Sequence, residues 1–116
     1  MKKVTSLANI QGYHAHVYFD AATLEQARQL CEDAANLFEV EMGRLHQKPV
    51  GPHPCWSCQL AFSPSQFANI VPWLAMQRDG LTVLVHPQSG DELRDHRDYA
   101  FWMGKVETLD LSRFIK

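Results

Sequence analysis

The sequence predicts an α+β fold of the ferredoxin-like, split βαβ kind: order βαββαβ, a four-stranded antiparallel sheet, and both helices on one face. Three observations predict it. Four segments carry strand signals, two segments between them carry helical periodicity, and the two types alternate in that order from residue 12 to residue 86. The 116 residues suffice for one core and leave no room for a second, so residues 1–116 read as a single domain with its core over residues 12–104. No repeat, low-complexity tract or long charge run interrupts that reading.

Residues 12–19 (GYHAHVYF) are aromatic and β-branched over strand length, and Asp20 closes this first strand. Thr23 and Gln26 have the spacing of a capping box, and Leu24, Ala27, Leu30, Cys31, Ala34, Leu37 and Phe38 recur at helical spacing. Residues 40–46 alternate loosely, as a second strand. Pro49, Gly51, Pro52 and Pro54 then predict a rigid loop. In residues 55–62 (CWSCQLAF) Trp56, Cys58, Leu60 and Phe62 share one face of a third strand. Ser63 and Pro64 read as the cap and first residue of a second helix, with Phe67, Ile70, Val71 and Leu74 as its buried stripe. Pro72 inside that stripe is expected to kink the helix or restart it. Residues 81–86 (LTVLVH) form a nearly continuous apolar fourth strand, and a short helix and a tail are expected from Asp91 onward.

Composition excludes several function classes. Hydrophobic residues make up 46% and charged residues 21%, so disorder, coiled coil and collagen are poor fits. Lys plus Arg number 11 against 13 Asp plus Glu, which leaves no excess of positive charge for nucleic acid or an anionic membrane. No segment approaches a membrane span, and Asn9 and Gln11 interrupt the amino-terminal segment before signal-peptide length. With three cysteines, an odd number, and no export signal, reduced thiols and a cytoplasmic location are expected. Cys55 and Cys58 have the spacing of a redox or zinc motif, but residues three apart on a strand point to opposite faces.

Six histidines in so short a chain are the feature to explain. If Tyr13, Ala15, Val17 and Phe19 face the helices, then His14, His16 and Tyr18 lie on the open face, and the same parity places Thr82, Leu84 and His86 there. The first and last strands are neighbours in the usual strand order, so His14, His16 and His86 can converge. His53 sits between prolines that restrict its backbone, and His96 can swing over the same face from the short helix. Imidazoles suit iron, zinc, copper and nickel, so the pattern names a metal class rather than a metal. Asp91, Glu92 and Asp95 lie close enough in sequence to add a carboxylate ligand, although such a run is more often a solvated helix face. Leu84, Tyr18 and the three tryptophans offer more apolar surface than two helices cover, which predicts a homodimer.

Five blocks, GYHAHVYFD, GRLHQKPVGPHP, VPWL, LTVLVHPQSGDELRDH and FWMG, resemble the DOPA 4,5-dioxygenase family over about residues 12–104. The resemblance implies a ferredoxin-like fold and extradiol cleavage of a catechol such as DOPA by O2 at a histidine-bound non-heme Fe(II), with Zn or another divalent metal able to occupy the site on purification. Carried over by position, it implies His16, His53 and His86 as metal ligands, with His14 and His96 as acid/base groups or extra ligands. Arg44 becomes a partner for a substrate carboxylate, with a surface salt bridge as its other reading, and Tyr18 a substrate contact. His46 reads as incidental. The competing class is a non-catalytic ferredoxin-like dimer that binds a metal or an aromatic ligand.

Overall fold

The computed structural model describes residues 7–115. The elements are β1 (Tyr13–Phe19), α1 (Leu24–Leu37), β2 (Glu41–His46), β3 (Trp56–Phe62), α2 (Phe67–Gln77), β4 (Val83–Pro87), α3 (Glu92–His96) and β5 (Phe101–Met103). They build one antiparallel sheet of five strands in the order β2-β3-β1-β4-β5, so the expected count of four is corrected. The additional strand β5 pairs Val83 with Met103, Leu84 with Trp102 and Val85 with Phe101. Three residues are too few to show a period in sequence; the unpaired edge of β4 makes this segment a strand. Residues 1–6, where the export reading begins, lie outside the described residues. Among the described residues no helix is long and apolar enough to cross a membrane.

β1 lies at the centre, with β3 on one side and β4 on the other. One face of the sheet carries Ala15, Val17, Cys58, Leu60, Val83 and Val85, packed on Ala27, Leu30, Cys31 and Ala34 of α1 and on Ile70 and Leu74 of α2. The strand parities expected from the sequence are therefore the ones observed.

Local details differ from the sequence expectations. Thr23 precedes α1 but makes no side-chain cap; its hydroxyl and backbone N–H instead donate to Asp20 Oδ1, each at 3.0 Å. Gln26 does not reach back to Thr23. It spans to the α2–β4 turn, donating to the Asp79 carbonyl at 2.8 Å. Pro64–Gln66 form a 3-10 turn, and α2 then runs unbroken through Pro72. A shift of register between Met42 and Leu45 explains the loose alternation of β2: the bulge returns both apolar residues to the core side.

The opposite face is not open, and this is the main correction to the expected architecture. Leu84 is 0% and Tyr18 3% exposed within the single chain, so neither supplies the uncovered surface on which the homodimer expectation rests. Trp102 packs against Tyr18, with ring centroids 5.8 Å apart. After β5, Gly104 turns with φ +85, where an added Cβ would meet Arg78 at 2.8 Å, and the chain returns as a strap. Asp110 N–H donates to the Pro52 carbonyl at 2.9 Å, which ties the strap to the proline-rich loop. Phe114 then stacks on His96 at 4.4 Å.

Leu60 is fully buried between the sheet and the helices. Leu60→Ala is expected to lower the unfolding free energy by about 2–5 kcal/mol, measured by urea denaturation. A loss below about 1 kcal/mol would show that this face is not the core that holds the fold.

Candidate metal centre

The register of β1 against β4 assembles the site. His14 stands directly opposite His86, and His16, two residues along the same face, stands opposite Leu84. The three imidazoles each offer a ring nitrogen, and these atoms lie within 4.8 Å of one another. His14 meets His16 edge to face at 5.7 Å and His86 at 5.1 Å, while His16 and His86 are nearly parallel at 5.1 Å. His16 Nε2 and His86 Nε2 are 3.0 Å apart. With metal–nitrogen bonds of about 2.1 Å, two ligands at right angles stand about 3.0 Å from each other. The donor set fits a divalent transition metal.

Hydrogen bonds assign the tautomers. His86 Nδ1–H donates to the Pro87 carbonyl at 2.9 Å, which leaves Nε2 as a lone pair. That lone pair accepts from His16 Nε2–H, and the same nitrogen of His86 is the one available to a metal. His96 Nδ1–H donates to the Glu92 carbonyl at 2.7 Å, leaving its Nε2 as an acceptor too. His53 has the reverse arrangement. Its Nδ1 lies 2.6 Å from the Tyr18 hydroxyl, the one hydrogen-bond partner found for that phenol among the described residues. A buried O–H without an acceptor is costly, so Tyr18 donates and the His53 proton resides on Nε2.

Burial favours the neutral form of His14, His16, His53 and His86. His16 is held well below the usual imidazole value, by desolvation first and then by His53 and His86. Burial also pulls His53 down to about 4 and His86 to about 3, and lowers His14. The Tyr18 phenol is raised, by burial and then by Cys55 and Glu107, and so keeps the proton it donates. Neutral imidazole is the form that binds metal.

The rings line a cavity of about 570 Å³ with Gln11, Gln59 and Gln88, walled by Val50–His53, α3 and the strap. His14, His16, His53, His86 and His96 are all brought together there. Of the three ligands implied by resemblance, His16 and His86 belong to the trio; His14 completes it, and His53 stands beside His16 with ring centroids 4.1 Å apart. Tyr18 touches the cavity only through His53. Arg44 is exposed on the edge strand β2 and does not line the cavity, and neither does His46. Asp91 caps α3 by accepting from Arg94 N–H at 3.1 Å. Asp95 is buried rather than solvated, because its carboxylate accepts from Ser89 N–H and Oγ–H at 3.0 and 2.5 Å. Cys58 sits in the core and Cys55 beside Glu107, apart from the cavity.

Sequence reasoning missed Gln59, Arg113 and Phe114. Gln59 was within reach: it lies between Cys58 and Leu60, so strand parity sends it to the histidine face, where it pairs with His16. Arg113 and Phe114 belong to a strap with no hydrophobic period to read.

Fold and cavity together define a small α+β protein whose histidine cluster is able to take a metal. The chain belongs to the Dopa 4,5-dioxygenase family, whose sequence model matches residues 13–113. It is 32% identical over 114 residues to a DOPA 4,5-dioxygenase of Amanita muscaria, covering 90% of this chain and 50% of that protein. It is 38% identical over 112 residues to an uncharacterized 21.2 kDa protein of Botryotinia fuckeliana, covering 86% of this chain and 61% of that one. The chain thus spans half to three fifths of the length of these curated relatives. A crystal structure of a candidate dioxygenase from Nostoc punctiforme PCC 73102 superimposes with a TM-score of 0.92 at 45% identity, covering 97% of this chain and 96% of that one.

The lowered imidazoles set the sign of a pH effect. Below 6.5 the unfolded chain protonates His53 and His86, whereas the folded chain resists until about 4 and 3. Stability of the metal-free protein is therefore complete above pH 6.5 and declines as the pH falls through that window. Urea midpoints at pH 7.5, 5.5 and 4.5 should fall in that order, with a shallower slope in a His53→Gln, His86→Gln double variant. Equal slopes in the two proteins would contradict the assignment.

Proposed function

We propose that this protein is an extradiol dioxygenase: a catechol ring is opened by O2 at Fe(II) held by His14, His16 and His86. The observation that carries the reading is the trio of imidazoles lining one cavity, in a chain of a family named for such an activity. A histidine-only donor set also accepts zinc, which is the metal expected to replace iron on purification. When bound, the metal supplies a Lewis-acidic, redox-active centre at which catechol and O2 meet.

The chain's own residues divide the proton transfers. His96 Nε2 is an acceptor and takes the proton of a catechol hydroxyl; the Glu92 carbonyl holds the ring in that tautomer. His53 Nε2–H is a donor and returns a proton during ring opening. Tyr18 is its positioning residue, because the 2.6 Å bond fixes which nitrogen carries hydrogen. The proline-rich loop and the strap limit the access of water.

Anaerobic reconstitution with Fe(II), followed by a panel of catechols with oxygen uptake and ultraviolet-visible detection, tests the reading. A yellow ring-opened product is expected. His86→Ala should reduce metal content and turnover at least about tenfold while the fold survives. Absence of oxygen uptake with every catechol would overturn the enzyme reading. The partners of the reading are a small catechol and O2, with neither nucleic acid nor membrane. A homodimer no longer has Leu84 or Tyr18 as its ground, and sedimentation velocity at micromolar concentration tests it directly, a monomer contradicting it.

A further inference from the structure

We infer that Arg113 is the anchor for an anionic group on the substrate, so that the cavity selects catechols bearing a side-chain carboxylate. This rests on the catechol reading above and adds the specificity-determining residue. Arg113 is the one Lys or Arg among the residues that line the cavity, on the strap that closes the histidine face.

The chain on either side of Arg113 is held, while Arg113 itself is exposed. Three residues before it, Asp110 N–H is tied to Pro52; one residue after it, Phe114 stacks on His96 at 4.4 Å with an interplanar angle of 19°. The guanidinium lies against Gly51, where a built Cβ would stand 3.0 Å from Arg113 Nη1. Gly51 has φ +57, which glycine adopts without strain, and its missing side chain makes room for the guanidinium at the cavity wall.

The charge is available. Among the described residues Arg113 forms no ion pair within 4.0 Å. The acidic group nearest in sequence, Asp110, is engaged by Ser112, accepting from its N–H at 3.1 Å and its Oγ–H at 2.6 Å. Asp95, the buried acid of the cavity, is engaged by Ser89. A guanidinium that acts on Asp110 only through space, without an ion pair, remains a planar two-point donor matched to a carboxylate. A cavity of about 570 Å³ accommodates a catechol ring with a short acidic side chain.

The test is anaerobic calorimetry of Zn(II)-loaded protein with two ligands that share the catechol head, 3-(3,4-dihydroxyphenyl)propionate and 4-ethylcatechol. Wild type should bind the acid about tenfold or more tightly than the neutral analogue. Arg113→Gln should abolish that preference and leave 4-ethylcatechol binding within about twofold, and Arg113→Lys should restore part of it. In turnover, R113Q should raise KM for the acid with kcat unchanged. Equal binding of both ligands by wild type, or a preference that survives in R113Q, overturns the anchor and leaves the catechol reading intact. Failure of wild type to bind either ligand overturns both.

Discussion

The pairing of β1 with β4 is the constraint on which the rest depends. Antiparallel register sets His14 opposite His86 and, by the alternation of side chains, sets Ala15 and Val17 on the far face. A slip of one residue would turn two imidazoles into the helix-packed core and two small apolar residues toward the cavity. The penalty would fall on both faces, so the packing that stabilises the sheet also enforces the spacing of the donor nitrogens. β3 locks β1 from the other side and brings Gln59 to the same face as His16.

The second theme is how so many imidazoles are buried together without accumulating charge. Four of the five rings are matched to a neutral partner: the Pro87 carbonyl for His86, the Glu92 carbonyl for His96, the Tyr18 hydroxyl for His53, and His86 itself for His16. Two of those partners are backbone carbonyls within four residues of the ring they hold, so local chain geometry fixes the tautomer before distant packing contributes. Among the described residues no buried side-chain nitrogen or oxygen lacks a partner. The cluster is therefore compatible with the fold in its neutral state and opposes it when protonated.

The parity of two strands was enough to find the trio. His14, His16 and His86 share a face because alternation in residues 12–19 and 81–86 leaves no other arrangement once Ala15, Val17, Val83 and Val85 are given to the core. The helix over residues 24–37 was equally legible, since four of its apolar positions recur as the buried stripe. What sequence did not disclose follows from interactions without a period. β5 exists because β4 has a free edge, and the bulge in β2 is visible only through its partner. The strap is held by contacts scattered along it, among them the Asp110–Pro52 backbone hydrogen bond, the Cys55–Glu107 contact and the Phe114–His96 stack. Arg44 and Arg113 are alike as residues, and the strap's return path puts the second at the cavity.

The two outer strands carry a consequence for how the sheet ends. β2 is interrupted between Met42 and Leu45 and exposes Glu41 and Arg44, and β5 offers only three residues. Both are devices that keep a sheet from recruiting further strands: an irregular, charged border on one side and a border too short to template on the other. Such edges disfavour edge-to-edge polymerisation, so the sheet ends at its own outer strands rather than offering a template for the next copy.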